Sequence, residues 1–296
     1  MTATTLENTP ATTTPPRRRR QFNGLGQSLL VHGVLLIYVV IAAFPVILVI
    51  MNSFKTRQAI FRNPYALPTP ETFSLVGYET VLFRANFPLY FANSLIVTGA
   101  TLLAIFFFGS MASWALSEYK FKGNALLGLY LAVGIMIPIR LGTVELLRLV
   151  SSLGLLNNLL GLILVYTAQG LPLTIFVMTQ FMRDVPRDLK DAARVDGASE
   201  YRIYWMVLPL VRPALATVMV FTMIPVWNDL WFPLILAPGE NVKTLTLGAQ
   251  VFMGQFLNDY NAILASLSMA MIPIIILYIL FSRQLIRGLT SGAVKF

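Results

Sequence analysis

Hydrophobic residues along this chain are grouped into long apolar runs, which are separated by shorter polar connections. A helix needs roughly 20 apolar residues to cross the hydrocarbon layer of a bilayer, and several of these runs approach that length. The runs are too long and too continuously apolar for the alternating pattern of a half-buried strand. We therefore predict six membrane-spanning helices, at about residues 29–51, 90–116, 125–139, 158–182, 208–231 and 261–281.

Lysine and arginine are unevenly divided between the connections. These residues are usually concentrated in loops that stay in the cytoplasm, so the richer side, which carries both termini, is predicted to be cytoplasmic. The inner side holds Arg17–Arg20, Lys120, Lys122, Arg183, Arg187, Lys190, Arg194, Arg202, Arg212, Arg283, Arg287 and Lys295, and the outer side holds Lys55, Arg57, Arg62, Arg84, Arg140, Arg148 and Lys243. We predict a disordered, basic N-terminus at 1–28, a membrane domain at 29–283 and a cytoplasmic tail at 284–296.

The composition agrees with a membrane protein. Hydrophobic residues make up 56% of the 296 residues and charged residues 12%, where roughly 25% charged residues are usual in soluble proteins. The mean hydropathy is +0.71. The net charge of +9 lies mostly at the ends of apolar runs, where membrane topology requires it, and so does not indicate a nucleic-acid partner. The sequence therefore predicts an all-α polytopic protein of the lipid bilayer.

Residues that carry enzymatic chemistry are scarce in this chain. Cysteine is absent, which excludes a thiolate nucleophile and a sulfur-ligated metal. His32 is the only histidine, and one histidine cannot build a usual zinc site. No Gly-Lys dipeptide occurs in the sequence, so a Walker A phosphate loop is excluded. We expect no catalytic residue, no metal site and no cofactor bound by this chain.

Proline interrupts most of the predicted spans. Proline removes a backbone donor and clashes with the preceding turn, so it kinks a helix. In a bilayer the freed carbonyl groups need protein or water as partners, which favours a bundle that encloses cavities or moves. The prolines concerned are Pro45, Pro138, Pro172, Pro225 and Pro273.

The large inner connection, residues 183–208, has the pattern of two helices joined by a sharp turn. Gly197 suits the left-handed conformation that ends a helix, and Ser199 suits the N-cap of the next helix. Ala192 and Ala193 form a shallow surface that permits close approach. The pattern alone leaves two interpretations open, an amphipathic connector at the membrane surface and a docking element for a partner.

This connection resembles the EAA loop of permease subunits in bacterial binding-protein-dependent ABC importers. The matching residues are Asp191-Ala192-Ala193, Asp196-Gly197-Ala198 and Leu208-Pro209. Asp191 stands where the family has Glu, and the spacing from Gly197 to the Leu-Pro pair is one residue shorter. Three further motifs resemble those of MalG-type sugar permeases, namely Trp227-Asn228-Asp229, Leu153–Asn157 and Gly288–Lys295.

The resemblance implies a type I ABC importer permease fold and a division of labour between subunits. This chain is then half of the translocation pathway, which works by alternating access, and a MalF-like second permease forms the other half. Two copies of a cytoplasmic ATPase bind ATP and Mg and hydrolyse the ATP, while an extracytoplasmic binding protein or lipoprotein delivers the sugar. The location implied is the bacterial cytoplasmic membrane.

The resemblance also assigns roles to particular residues. Coupling to the ATPase falls to Asp191, Ala192, Ala193, Arg194, Asp196, Gly197, Leu208 and Pro209. Arg194 and Asp196 are equally compatible with polar contacts and with solvation. The tail residues assigned to contact with the ATPase are Gly292, Ala293 and Lys295.

The solute path is less well marked. Trp227, Asn228 and Asp229 are candidates for lining it, although an interfacial aromatic with a structural cap explains them equally well. Three outer residues have two open interpretations, contact with the binding protein or snorkelling, and these are Arg140, Glu145 and Arg148. A polyol or glycerol phosphate is the alternative solute, and a stand-alone carrier or a membrane-bound enzyme is the alternative class.

Overall fold

The computed structural model describes residues 25–84, 86–253 and 259–293, with side chains only as far as Ser282. Within these ranges the chain is helical and contains no strand. The described residues divide into two compact units, the first ending at Ile47 and the second beginning at Leu48. The α-helices are α1 Leu25–Ser53, α2 Arg57–Arg62, α3 Val76–Glu79, α4 Phe87–Ala104, α5 Ser110–Glu118, α6 Asn124–Met136, α7 Thr143–Ser152, α8 Leu159–Asp184, α9 Arg187–Val195, α10 Glu200–Val207, α11 Arg212–Asn228, α12 Trp231–Leu236, α13 Leu245–Ala249 and α14 Tyr260–Ala293.

Four helical segments of the described chain are long and apolar enough to cross a membrane. They are Ser28–Ser53, Phe87–Glu118, Leu159–Asp184 and Glu200–Asn228. A helix pair bent by 84°, Asn124–Met136 with Ile139–Ser152, gives a fifth if it is counted as one span. The apolar part of α14, Tyr260–Ile276, is shorter. The all-helical class is confirmed, and the count of six spans is compatible with these segments but stays a prediction.

The bend after α6 shows how far local sequence controls these helices. Ile137 and Pro138 have extended backbone, with ψ of 119° and 107°, because proline disfavours helical conformation in the residue before it. The chain then becomes helical again, first as a 3-10 turn and then as α7. Residues 140–157, predicted as an outer connection, are thus largely helical.

Two boundaries differ from the predicted ones because a helix continues through them. A 3-10 turn, Leu208–Val211, joins α10 to α11, so the second helix of the inner connection runs straight into the fifth predicted span. The final helix continues to Ala293, through most of the predicted tail. At the other end, α1 begins at Leu25, within the segment 1–28, whose first 24 residues lie outside the described ones.

Helix α8 is the centre of the second unit, where it packs against α4, α5, α6 and α11. Close approach is possible because small residues lie at these contacts. A Cβ on Gly170 would come within 2.4 Å of the end of the Ile105 side chain, so that side chain would have to shift to admit one. One buried cluster, which includes Met178, Ile203 and Val207, lies at the end of α8 next to α9. A second, which includes Leu162 and Phe232, lies at the other end.

Candidate functional site

The inner connection is a compact helix–turn–helix closed by backbone hydrogen bonds. The amide of Gly197 donates to the carbonyl of Arg194 at 3.0 Å, and that of Ala198 donates to Ala193 at 2.9 Å. These are the two bonds of a Schellman motif, which requires a left-handed residue after the helix. Gly197 has a φ of +76°, and no atom lies within 4 Å of the position of an added Cβ. Glycine is needed here for its conformation, as predicted, and not for space.

The second helix of the connection begins at the predicted cap. The side chain of Ser199 accepts a hydrogen bond from the Arg202 amide at 3.4 Å, in the usual geometry of an N-cap. Ile203 and Val207 on this helix are fully buried against α8. The turn between α9 and α10 is therefore anchored on the bundle.

Arg194 is the centre of an ion-pair network that joins α9 to the end of α5. Its guanidinium binds Glu118 at 2.6 Å, Asp191 at 2.7 Å and Glu200 at 2.8 Å. Hydrogen bonds to Glu200 and Glu118 raise the pKa of Arg194 above its usual range. Of the two interpretations left open for this residue, the structure supports polar contacts, and the partners belong to the chain itself.

Lys190 extends this network into the protein interior. Its side chain is only 3% exposed, and its ammonium binds Glu118 at 2.8 Å. The same ammonium donates to the carbonyl of Met182 at 3.1 Å and lies 5.4 Å from the centre of the Trp114 ring. A buried charge needs such compensation, and Lys190 fixes one face of α9 against the membrane helices.

Sequence reasoning missed Glu118, Lys190 and Glu200. Lys190 and Glu118 are 72 residues apart in the chain, so no local spacing relates them. One feature of the sequence could have indicated the role of Lys190. It is a long cationic side chain close to the alanine pair, on a helix whose surface there is otherwise shallow.

The remaining coupling residues predicted from the sequence face in different directions. Ala192 is exposed, whereas Ala193 is partly buried and packs on the cluster around Ile203. Val195 is 87% exposed, although the sequence did not single it out. Of the other predicted coupling residues, Leu208 is buried. The exposed ones are Asp191, Asp196, Gly197 and Pro209.

The predicted tail contacts can be located only in part. Gly292 and Ala293 form the end of α14. Lys295 lies outside the described residues.

The three residues of the Trp-Asn-Asp motif lie in three different environments. Trp227 is buried, and its indole nitrogen donates to the carbonyl of Ala270 at 3.2 Å. It lines a mostly apolar cavity of about 570 Å³. Asn228 is exposed and donates to Ile224 in its own helix at 2.9 Å. Asp229 is buried and caps the next helix, because its oxygens accept from the amides of Trp231 and Phe232.

Asp229 also fixes two side chains from other helices. It accepts a hydrogen bond from the Tyr166 hydroxyl at 2.9 Å and pairs with Arg140 at 3.1 Å. Together with the two backbone amides of α12, these side chains give each carboxylate oxygen of Asp229 two hydrogen-bond donors. The structural-cap interpretation therefore holds for Asp229, and Arg140, which had two other interpretations, is tied to this carboxylate.

Beside this cluster lies a cavity of about 220 Å³ between α8 and α11. Its lining combines polar and aromatic side chains with the proline that interrupts α11, and includes Arg140, Tyr166, Gln169, Phe221, Thr222 and Pro225. Cavity formation near a helix-interrupting proline agrees with the expectation for such helices.

Comparison with known proteins gives a consistent result. The sequence profile described as "Binding-protein-dependent transport system inner membrane component" matches residues 133–290. The chain is 32% identical over 267 residues to the diacetylchitobiose uptake system permease protein NgcG of Streptomyces coelicolor, covering 89% of this chain and 88% of that protein. It is 33% identical to the arabinooligosaccharides transport system permease protein AraQ of Halalkalibacterium halodurans, covering 86% and 92%.

A solved structure shares the fold. This is a chain of a bacterial ABC transporter involved in the import of the acidic polysaccharide alginate, with a TM-score of 0.76 and 24% identity. The alignment covers 88% of this chain and 98% of that one. The fold is therefore that of an ABC importer permease.

Proposed function

We propose, from the premise that this chain belongs to the binding-protein-dependent transport system inner membrane component family, that the solute it transports is a carbohydrate. Members of this family are membrane-embedded permease subunits of ABC importers and have no enzymatic role. The observation that carries the proposal is similarity along nearly the whole chain to permeases named for oligosaccharide uptake. Another such relative is the melibiose/raffinose/stachyose import permease MelC of Bacillus subtilis, at 33% identity over 76% of this chain.

The charge at the polar cavity supports a neutral solute. Arg140 is the cationic residue of the cavity lining, and its charge is balanced by Asp229 at 3.1 Å. A phosphate ester is usually bound by cations whose charge the protein has not already neutralised. The neutralised arginine therefore favours a neutral sugar over the alternative of a glycerol phosphate.

Coupling to an ATPase is proposed for the exposed side of α9. Glu118 and Lys190 hold one side of this helix on the bundle, while Ala192 and Val195 remain exposed. A small and apolar surface on a helix held by ion pairs suits docking into a groove of a partner. Asp191, Arg194, Asp196 and Gly197 then shape this surface, and the Leu208-Pro209 pair joins it to α11.

The full assembly is proposed by analogy with the family. We place a second, MalF-like permease against this chain, two copies of a cytoplasmic ATPase that binds ATP and Mg, and an extracytoplasmic binding protein. In this arrangement both termini of the chain lie in the cytoplasm. The end of α14, with Gly292, Ala293 and the following Lys295, then approaches the ATPase.

The test is uptake in a strain that lacks only this subunit. Labelled diacetylchitobiose, maltotriose, arabinotriose and raffinose are supplied in turn, with the wild-type chain or an empty vector. We expect uptake of at least one oligosaccharide that depends on the chain and on ATP. Uptake of glycerol phosphate alone would contradict the carbohydrate assignment, and ion-coupled flux through the purified chain by itself would contradict the importer.

A further inference from the structure

A glutamine on α8 shows which side of this helix is turned away from lipid. Gln169 is near the middle of the membrane-spanning segment Leu159–Asp184, and its side chain is exposed. Within the described part of the chain, no hydrogen bond to its amide is found. An unpaired amide costs several kcal/mol in hydrocarbon, so this face must meet water or another protein.

A second exposed glutamine continues the same face. Gln180 lies 11 residues further along α8, which is about three helical turns, or roughly 16 Å along the axis. Gln180 lines a separate cavity with Leu116, Asn124 and Gly128, so the two amides are two separate polar positions on this side of α8. Gln169 belongs to the lining of the cavity beside Asp229.

The groups of this cavity that remain free for a solute are not those of the Trp-Asn-Asp motif. Asp229 already accepts hydrogen bonds from Arg140, Tyr166 and two backbone amides, so a further donor would displace one of them. Arg140 uses only one of its terminal nitrogens in this pair, and its side chain is 64% exposed. A guanidinium carries five N–H donors, and Arg140 therefore retains donors for a ligand.

The remaining lining matches the chemistry of a sugar ring. Gln169 offers both a donor and an acceptor for hydroxyl groups. Phe221 lies on the facing helix with its side chain 53% exposed, and aromatic rings stack on the apolar faces of sugars. The volume of about 220 Å³ is below the roughly 300–1,000 Å³ of complete ligand pockets, so it suits one ring of a longer chain.

We infer that this cavity is a carbohydrate subsite of the translocation path, in which Arg140 and Gln169 contact one sugar ring and Phe221 stacks on it. Asp229 and Tyr166 are positioning residues, which hold the guanidinium and neutralise it. The inference rests on the proposed function, and it places one side of a solute site on this subunit, with the other side supplied by the second permease.

The first measurement uses the absence of native cysteine. Gln169→Cys is introduced into the complete importer, assembled with cysteine-free partners in proteoliposomes. We expect a charged, membrane-impermeant thiosulfonate to modify it at least about tenfold faster than the control Leu103→Cys, which corresponds to ~1.4 kcal/mol. Leu103 is 69% exposed on α4 but apolar. Diacetylchitobiose, maltotriose, arabinotriose or raffinose, whichever the wild type transports, should slow the modification.

The outcomes separate this inference from the proposed function. If the wild-type importer takes up none of the four oligosaccharides, the proposed function fails and the subsite with it. If one of them is transported but leaves the rate at Gln169→Cys unchanged, the subsite is refuted and the proposed function stands.

A second measurement tests the positioning role of Asp229. Asp229→Asn leaves Arg140 without its counter-charge, so transport of the neutral oligosaccharide should fall at an unchanged level of assembled importer. The double variant Asp229→Asn with Arg140→Gln restores a neutral cavity and should recover part of this transport. If Asp229 merely caps α12, the double variant should recover no transport. That result would overturn the role of Asp229 in neutralising Arg140.

Discussion

At the scale of single residues, the loop between α9 and α10 depends on one backbone conformation. Gly197 has a positive φ and lies in open space. A side chain there would contact no neighbouring residue, but it would clash with its own backbone. The left-handed conformation costs an L-residue roughly 1–2 kcal/mol. The same conformation occurs at Gly154, with a φ of +69° and equally open surroundings. Gly154 is therefore a control that has the same backbone conformation but lies outside the loop proposed to dock on the ATPase.

Gly197→Ala should therefore reduce ATP-driven transport more than Gly154→Ala does. Both variants carry about 1–2 kcal/mol of strain, but only the first distorts the loop proposed to dock on the ATPase. Transport and ATP hydrolysis are measured at matched levels of membrane-inserted protein. Equal losses in the two variants would show that the turn acts through stability alone.

A second residue-scale feature lies on the opposite side of the bundle from the loop, at Glu240. Its carboxylate accepts hydrogen bonds from Lys243, Tyr90 and Asn86. These bonds lower the pKa of Glu240 from 4.5 to about 2. Because the folded-state pKa lies below the unfolded one, the contribution to stability is complete above about pH 4.5 and is lost as the pH falls through about 2.

The melting temperature of the wild-type protein in detergent should consequently fall more steeply between about pH 4.5 and 2 than that of Glu240→Gln. Above this window the wild type should be the more stable of the two. Glu145→Gln is the matched control, since Glu145 pairs with Arg148 alone among the described residues, at an exposed site. Parallel curves for wild type and Glu240→Gln would contradict the assignment.

At the scale of elements, α9 is held to the bundle by charge as well as by apolar packing. Lys190 reaches inward to Glu118 at the end of α5, and Ala193 packs on the cluster between α8 and α10. We expect movement of α9 to be transmitted through these contacts to α5 and α10. α10 continues through a 3-10 turn into α11, which borders the polar cavity. Contiguous helices thus connect the loop to the proposed subsite.

Removal of Glu118 tests the charged attachment. Glu118→Ala leaves the Lys190 ammonium buried without a carboxylate, which typically costs about 3–5 kcal/mol. The double variant Glu118→Ala with Lys190→Met removes the buried charge as well and should recover much of this loss. Denaturant unfolding in detergent measures both. Additive losses in the double variant would show that the two residues act independently.

The direction of α9 predicts which of its alanines can meet a partner. Ala192→Cys, on the exposed side, should cross-link to a cysteine placed in the groove of the ATPase, with a yield that depends on nucleotide. Ala193→Cys, which packs on the bundle, should cross-link poorly and is the control. Equal yields at both positions, or none at Ala192→Cys in any nucleotide state, would contradict docking through this surface.

At the scale of the whole molecule, several surfaces of the chain have a composition that requires contact with lipid or with another subunit. Apolar side chains such as Leu103, Leu126 and Tyr130 are largely exposed on its membrane helices, as expected for surfaces that face lipid or another subunit. The exposed amides of Gln169 and Gln180 are different, because lipid is not a suitable cover for amides. Water in a translocation path or a second permease is a suitable cover, which agrees with the family's mode of assembly.

The sequence by itself determined the class of protein and the turn at Gly197, and it predicted the approximate spans. Each of these depends on local properties: the length of an apolar run, the distribution of positive charge, or the backbone conformation that a glycine permits. The family was identified from motifs that are also contiguous in the chain. For these features, neighbouring residues carry enough information.

Only the tertiary structure decided which side of α9 is free and what Asp229 does. Glu118 meets Lys190 across 72 positions of the chain, and Arg140 meets Asp229 across 89. Such pairs form because helix packing brings distant segments together, and the buried members, Lys190 and Asp229, cannot remain without a partner of opposite charge. The same packing opened the cavity at Gln169, which no spacing along the sequence could indicate.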